Sequence, residues 1–268
     1  MAKIIALANQ KGGVGKTTSC VNLAACVAAA NKQVLLVDLD PQGNATMGSG
    51  CNKQTLEVSI TEVLLEEFPV EKAIIPAPQA SYRLLPTNGS LTRAEIKLVG
   101  LPEREFRLKK ALEPIASQYD FIFIDCPPAL NMLTVNGLVA AHGVLVPMQC
   151  EYYALEGLSD LLFTIEQLRE TVNPTLSIEG VLRTMYDARN RLSLDVSEQL
   201  QEHFGETLYQ TIIPRNVRLA EAPSFGQPIL SYDAKSLGAR AYLLLAGEFL
   251  RKNKIAAEKK AALSETVY

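Results

Sequence analysis

Nowhere does the 268-residue chain approach the ~20 uninterrupted apolar residues that a bilayer-spanning helix needs. Its start, Met1-Ala2-Lys3-Ile4-Ile5-Ala6-Leu7, is broken by Asn9, Gln10 and Lys11 too soon for a secretory signal, so a cytoplasmic protein is expected. The five cysteines (Cys20, Cys26, Cys51, Cys126, Cys150) form no C-x-x-C pair and are odd in number. That excludes a disulfide framework or zinc site as the organising device and leaves small buried hydrophobes. No repeat, low-complexity tract or Gly/Ser linker divides the chain. There is also little excess charge: a net of −3 argues against a generally basic polyanion binder. What remains is a chain 48% hydrophobic, which excludes disorder as the main state and supplies a substantial core. The charge is unevenly placed, with 10 Lys/Arg against 8 Asp/Glu over residues 183–254 and 14 against 19 over residues 1–182. Any polyanion must therefore meet a local patch in the last third.

Short apolar runs alternate with helical patterns, which predicts βαβ units on a mostly parallel, twisted α/β sheet with helices on both faces. Strands are expected over Lys3–Ala8, Gln33–Leu39, Tyr82–Pro86, Phe121–Asp125, Val144–Met148, Ile178–Thr184 and Leu208–Ile213. Helices are expected over Lys16–Ala30, Glu103–Ser117, Leu133–Ala141, Leu155–Thr171, Ser193–Phe204 and Ser236–Lys252. Residues 41–80 read as surface loops with a short helix. Residues 1–254 form one domain in this reading, and 255–268 a helical extension or disordered tail.

The richest segment is Asn9-Gln10-Lys11-Gly12-Gly13-Val14-Gly15-Lys16-Thr17-Thr18, between an expected strand and an expected helix. Glycines let successive N–H groups converge on phosphate oxygens, and the helix N-terminus adds positive potential. Lys16 is placed to neutralise the β/γ-phosphates, the Thr17 hydroxyl to take a Mg²⁺ position and Thr18 to reach the α-phosphate. The usual G-x-x-x-x-G-K-[ST] pattern has glycine where Gln10 stands, and here carries an extra lysine, Lys11. Two further strands end in acids. Val34–Asp38 leads into Leu39-Asp40-Pro41-Gln42-Gly43, and Phe121–Asp125 leads into Cys126-Pro127-Pro128. Ligands bind outside the carboxyl ends of parallel strands, so these carboxylates should face the phosphates. Four apolar residues before Asp125 give the Walker B form, in which the acid holds Mg²⁺ through a water. Asp40 is the candidate for preparing the attacking water. For Asp38 a direct role and a turn or cap role both stand open.

Together, Lys11–Thr18, Asp38–Asn44 and Phe121–Pro128 resemble the deviant Walker motifs of the ParA/MinD ATPases, which have a P-loop NTPase fold. Gln149–Gly157 and Ile213–Pro223 resemble the ParA/Soj branch that partitions chromosomes and plasmids. The similarity runs from about residue 3 to about residue 250. It implies a weak Mg²⁺-dependent ATP hydrolase in which ATP is sandwiched between two subunits. Lys11 then reaches across to the partner's nucleotide, Gly12 sits where two backbones approach, and Pro214 and Asn216 embrace adenine. It further implies that the ATP-bound homodimer binds double-stranded DNA without regard to sequence, on the nucleoid, and that a ParB-type partner stimulates hydrolysis.

Arg189, Arg215 and Arg218, in the cationic third of the chain, suit phosphate contacts that carry no base readout. No aromatic residues interleave with them, so stacking on single strands is not indicated. Starting the phosphate loop at residue 10 leaves no room for an N-terminal helix-turn-helix, and the tail from Lys254 to Leu263 has too few large apolar residues for membrane binding. Two rival classes share the phosphate loop. One is a metal-cluster carrier or reductase, for which Cys126 and Cys150 make no suitable pair. The other is a metabolic ATP-dependent ligase.

Overall fold

The computed structural model describes residues 2–152 and 154–265. Seven strands form one sheet: β1 (Lys3–Leu7), β2 (Val34–Asp38), β3 (Ile75–Pro76), β4 (Arg83–Leu85), β5 (Phe121–Asp125), β6 (Gly143–Gln149) and β7 (Ser177–Thr184). Their order is β3-β4-β2-β5-β1-β6-β7. All neighbours are parallel except the two-residue edge strand β3, which runs against β4. The mostly parallel sheet expected from the sequence is present.

Period-two alternation divides each central strand between two cores. Ile4, Ala6, Leu35, Val37, Ile122 and Ile124 face one core, while Ile5, Leu7, Val34, Leu36, Phe121 and Phe123 face the other. Helices α3 (Ile60–Leu64), α4 (Val70–Ala73), α5 (Leu91–Leu98), α6 (Arg107–Leu112), α7 (Met132–Ala140), α8 (Ala154–Thr171) and α9 (Arg191–Phe204) cover the first face. On the second lie α1 (Lys16–Ala29), α2 (Asn44–Gly48), α10 (Val217–Glu221), α11 (Ile229–Tyr232) and α12 (Leu237–Glu265). The helix α1 packs against both the sheet and α12, so it is buried on nearly every side, from Ser19 through Ala28. Its Ser, Cys and Ala residues permit that close approach, and the Ser19 hydroxyl meets Tyr242 Oη at 3.0 Å.

The structure corrects three expectations. Leu208–Ile213 is no strand: it makes one isolated bridge from Leu208 to Val181, and Pro214 makes another to Tyr186. Two backbone bonds reach β7, from Tyr209 N–H to the Val181 carbonyl and from Ile213 N–H to the Arg183 carbonyl, each at 2.9 Å, and side chains supply the rest. Glu248 accepts from the N–H groups of Gln210 and Thr211, and buried Arg183 donates to the Tyr209 carbonyl. The helix expected over Glu103–Ser117 is broken into a 3₁₀ turn, α6 and a second 3₁₀ turn, Glu113–Gln118, where Pro114 cannot donate to an α-helical ladder. Residues 41–80 hold three short helices and β3, and Ile60, Val63 and Leu64 are core residues. Helix α12 continues past residue 254 to Glu265. The end of the expected tail, residues 266–268, lies outside the described residues, as does Tyr153.

Candidate functional site

At the carboxyl end of β1 the chain turns through Asn9–Gly15 and enters α1. Gly13 (φ 74°) and Gly15 (φ 83°) occupy left-handed backbone that side chains disfavour. Gly15 stands at the N-cap of α1 and supplies no capping side chain. The N–H groups of Lys16, Thr17 and Thr18 thus face the loop with no acceptor among the described residues. Uncapped N–H groups of this kind suit an anion. The Thr184 hydroxyl, at the end of β7, fixes the far side of the loop by donating to the Val14 carbonyl at 2.7 Å.

The acids stand beside this loop because of strand register. Asp125 pairs with Leu7 of β1 on one side and with Asp38 of β2 on the other. Both carboxylate oxygens of Asp125 are buried with no hydrogen-bond partner of ordinary geometry among the described residues. Burial drives its acidity well above the usual carboxylate range, and the charges of Asp38 and Asp40 add to this; the nearby Thr17 hydroxyl and Lys16 oppose it. Asp38 is also fully buried, and its pKa is pushed up to about 6 despite hydrogen bonds from Thr46 and Asp40. Buried Lys16 donates to the Lys11 carbonyl at 3.1 Å. Burial lowers its pKa, while Asp125, Cys126 and Asp40 resist. Asp40 accepts from the Gln42 N–H at 2.9 Å. An orphaned, desolvated carboxylate facing Thr17 fits a hydrated divalent cation, since Mg²⁺ keeps most of its waters and takes few protein ligands. Among the described residues no group of three or more His, Cys, Asp or Glu makes an all-protein metal site, and all five cysteines are buried and unpaired.

Beside the loop lies a cavity of about 170 Å³, lined by Gly15, Thr18, Met185, Pro214, Asn216 and Leu219 among others. Asn216 uses its Oδ1 to cap α10 by accepting from the Leu219 N–H at 3.2 Å. Met185 adopts a left-handed φ of 49°, and Gln149 Nε2 donates to its sulfur at 2.7 Å. Sequence reasoning passed over Thr184 and Met185. The end of β7 was their only signal, and no glycine or aspartate marks it.

Lys11 meets Glu151 at 2.7 Å in an exposed ion pair, a partner the sequence did not point to. The three arginines are brought near one another in part. The bridge between Tyr186 and Pro214 places Arg215 beside Asp187, which Arg189 grips with both Nε and a terminal nitrogen. The Arg189 side chain is nonetheless 90% exposed. Arg218 is held apart in ion pairs with Glu221 and Asp233. Among the described residues Arg215 makes no ion pair within 4 Å. No helix among them is long and apolar enough to cross a membrane.

A family model described as "AAA domain" matches residues 2–178. The chain is 52% identical over 248 residues to "Sporulation initiation inhibitor protein Soj" of Bacillus subtilis, covering 92% of this chain and 98% of that protein. It is 47% identical over 253 residues to "Chromosome partitioning protein ParA" of Myxococcus xanthus, covering 94% and 89%. Among solved structures, the cobyrinic acid a,c-diamide synthase of Mycobacterium smegmatis, with bound ATP analogue and magnesium, superposes with a TM-score of 0.83. That protein is 38% identical, and the match covers 95% of this chain and 96% of that one.

Proposed function

The chain belongs to the ParA/Soj family of chromosome-partitioning ATPases, and on that premise we propose that it is an ATP-driven switch for DNA segregation. The reading rests on one observation above all: an uncapped, glycine-turned helix N-terminus stands beside a buried carboxylate that has no hydrogen-bond partner of ordinary geometry among the described residues. ATP lies with its phosphates on Gly12–Thr18 and its adenine in the cavity at Pro214 and Asn216. Lys16 neutralises phosphate charge, and Asp40 prepares the water. Thr17, and Asp125 through water, would hold magnesium, which would supply charge neutralisation on the phosphates. Two copies close face to face, and Lys11 leaves Glu151 to reach the partner's nucleotide.

The paired surface carries Arg189, Arg215 and Arg218 twice. It binds duplex DNA through phosphates without sequence preference, on the nucleoid and not on a membrane, until a ParB-type protein stimulates slow hydrolysis. The deciding experiment is retention on non-specific duplex DNA with ATP, with ADP and without nucleotide. Retention with ATP alone is expected, and equal retention in all three states would refute the switch. Asp40→Ala should keep ATP-dependent dimerisation and lose hydrolysis; loss of dimerisation in analytical ultracentrifugation would remove Asp40 from its assigned role.

The likeness to the Mycobacterium diamide synthase favours a second reading, an ATP-dependent ligase. That reading requires ATP turnover to depend on a small carboxylic acid and not on DNA.

A further inference from the structure

The turn that carries Asp40 is held from beneath. Asp38 accepts the Asp40 N–H on Oδ1 at 3.3 Å. Its Oδ2 takes both the Thr46 N–H and the Thr46 hydroxyl, each at 2.7 Å. That hydroxyl has a single proton, which goes to Asp38. Its lone pair accepts the Thr87 N–H at 3.0 Å, from the segment that follows β4. Asp38, Thr46 and Thr87 are fully buried, so water cannot replace any of these bonds. Within the turn, Gly43 donates to the Asp40 carbonyl at 2.8 Å and Leu39 donates to the Asp125 carbonyl at 3.0 Å. Among the described residues, the Asp40 side chain itself accepts only from Gln42. Its position thus depends on how the turn is anchored.

We infer that Thr46 is a positioning residue for hydrolysis. Its hydroxyl ties Asp38 to the backbone at Thr87 and so closes the turn that presents the Asp40 carboxylate to the phosphate loop. The inference deepens the ATPase reading and rests on it, specifically on Asp40 as the group that prepares water. Thr46 lies in α2 and, among the described residues, makes its side-chain hydrogen bonds to Asp38 and Thr87 and none to Gly12–Thr18, so its hydroxyl acts on the rate of cleavage and not on nucleotide affinity. Valine keeps the shape of threonine but leaves the Thr87 N–H with no acceptor and takes one donor from Asp38. Serine keeps both bonds.

The test compares the full-length protein with Thr46→Val and Thr46→Ser. It measures fluorescent ATP-analogue affinity and single-turnover hydrolysis of pre-bound Mg-ATP, with Asp40→Ala alongside. For valine the expectation is an affinity within about twofold of the parent and cleavage slowed about tenfold or more, given that misplacement by an ångström costs about 10²-fold. Serine should restore the rate to within about threefold, which a role in packing or stability alone would not predict. Wild-type cleavage in the valine variant, with Asp40→Ala inactive, would overturn the inference and leave the Asp40 assignment standing. So would a serine variant as slow as valine. Wild-type cleavage in Asp40→Ala would instead overturn the premise, and this inference with it. Should the valine variant fail to fold, Thr46→Cys, a weak donor of similar size, must cleave at an intermediate rate; a wild-type rate there would equally overturn the inference.

Discussion

Replacing Asp38 by asparagine isolates the cost of holding a charge at the buried end of β2. Burial lifts the carboxyl pKa from 3.8 to about 6, so the unfolded chain ionises first as pH rises. Stability supplied by the protonated form is therefore complete below pH 4 and is lost between about pH 4 and pH 6. At 1.36 kcal/mol per unit, the full penalty above that window is about 3 kcal/mol. The amide carries no such charge. Its carbonyl oxygen still accepts both bonds from Thr46, but its NH₂ cannot accept the Asp40 N–H, a loss of about 1 kcal/mol. The net gain near neutrality is about 2 kcal/mol, or roughly 4 °C in a chain this long. Near pH 5 the wild type has accrued only about half of its penalty, so the gain shrinks to roughly 1 °C. Thermal unfolding followed by circular dichroism, without nucleotide or magnesium, at about pH 5 and about pH 7.5 reads both values. A difference that does not change with pH, or a variant less stable than wild type near neutrality, would refute the reasoning.

A Cβ on Gly12 meets nothing within 4 Å in the single chain. Gly12→Val should therefore shift the thermal midpoint by no more than about 1 °C while abolishing ATP-dependent dimerisation in sedimentation experiments. Glu248→Ala strands the N–H groups of Gln210 and Thr211 and the Thr211 hydroxyl, so urea unfolding should report a loss of about 2 kcal/mol. ATP affinity should fall with it, since the same segment leads into Ile213 and Pro214 of the cavity. Arg189→Ala should lower the slope of log affinity for DNA against log salt by about 1 per subunit; an unchanged slope would remove Arg189 from the DNA surface.

The sheet and the phosphate loop were legible because each rests on a local pattern. Four consecutive apolar residues end in Asp125, and glycines separate a buried strand from the Lys16 helix. These patterns mark the strands, the loop and the helix start without help from distant residues. Leu208–Ile213 shows the opposite case. Its apolar residues are real, and Leu208, Tyr209 and Ile213 are buried, but its long-range hydrogen bonds go to Val181, Arg183 and Glu248, which lie 25 or more residues away in sequence. A strand pattern reports burial on a period of two and is silent about who receives the N–H groups. Thr46, Thr184 and Glu151 were missed for the same reason, since each acts through a partner that only the fold brings near. The break at Pro114 was visible in the sequence, yet the helical pattern around it masked it.

The short bridge between Tyr186 and Pro214 gives the molecule a mechanical link worth following to its end. On one side Pro214 and Arg215 line the cavity beside the phosphate loop, and on the other Tyr186 leads into Asp187 and the Arg189 that grips it. A base that seats against Pro214 and one that leaves the wall slack would set those two cations differently, even with identical phosphates. On the proposed reading, grip on the double helix should respond to the head of the nucleotide as well as to its charged tail.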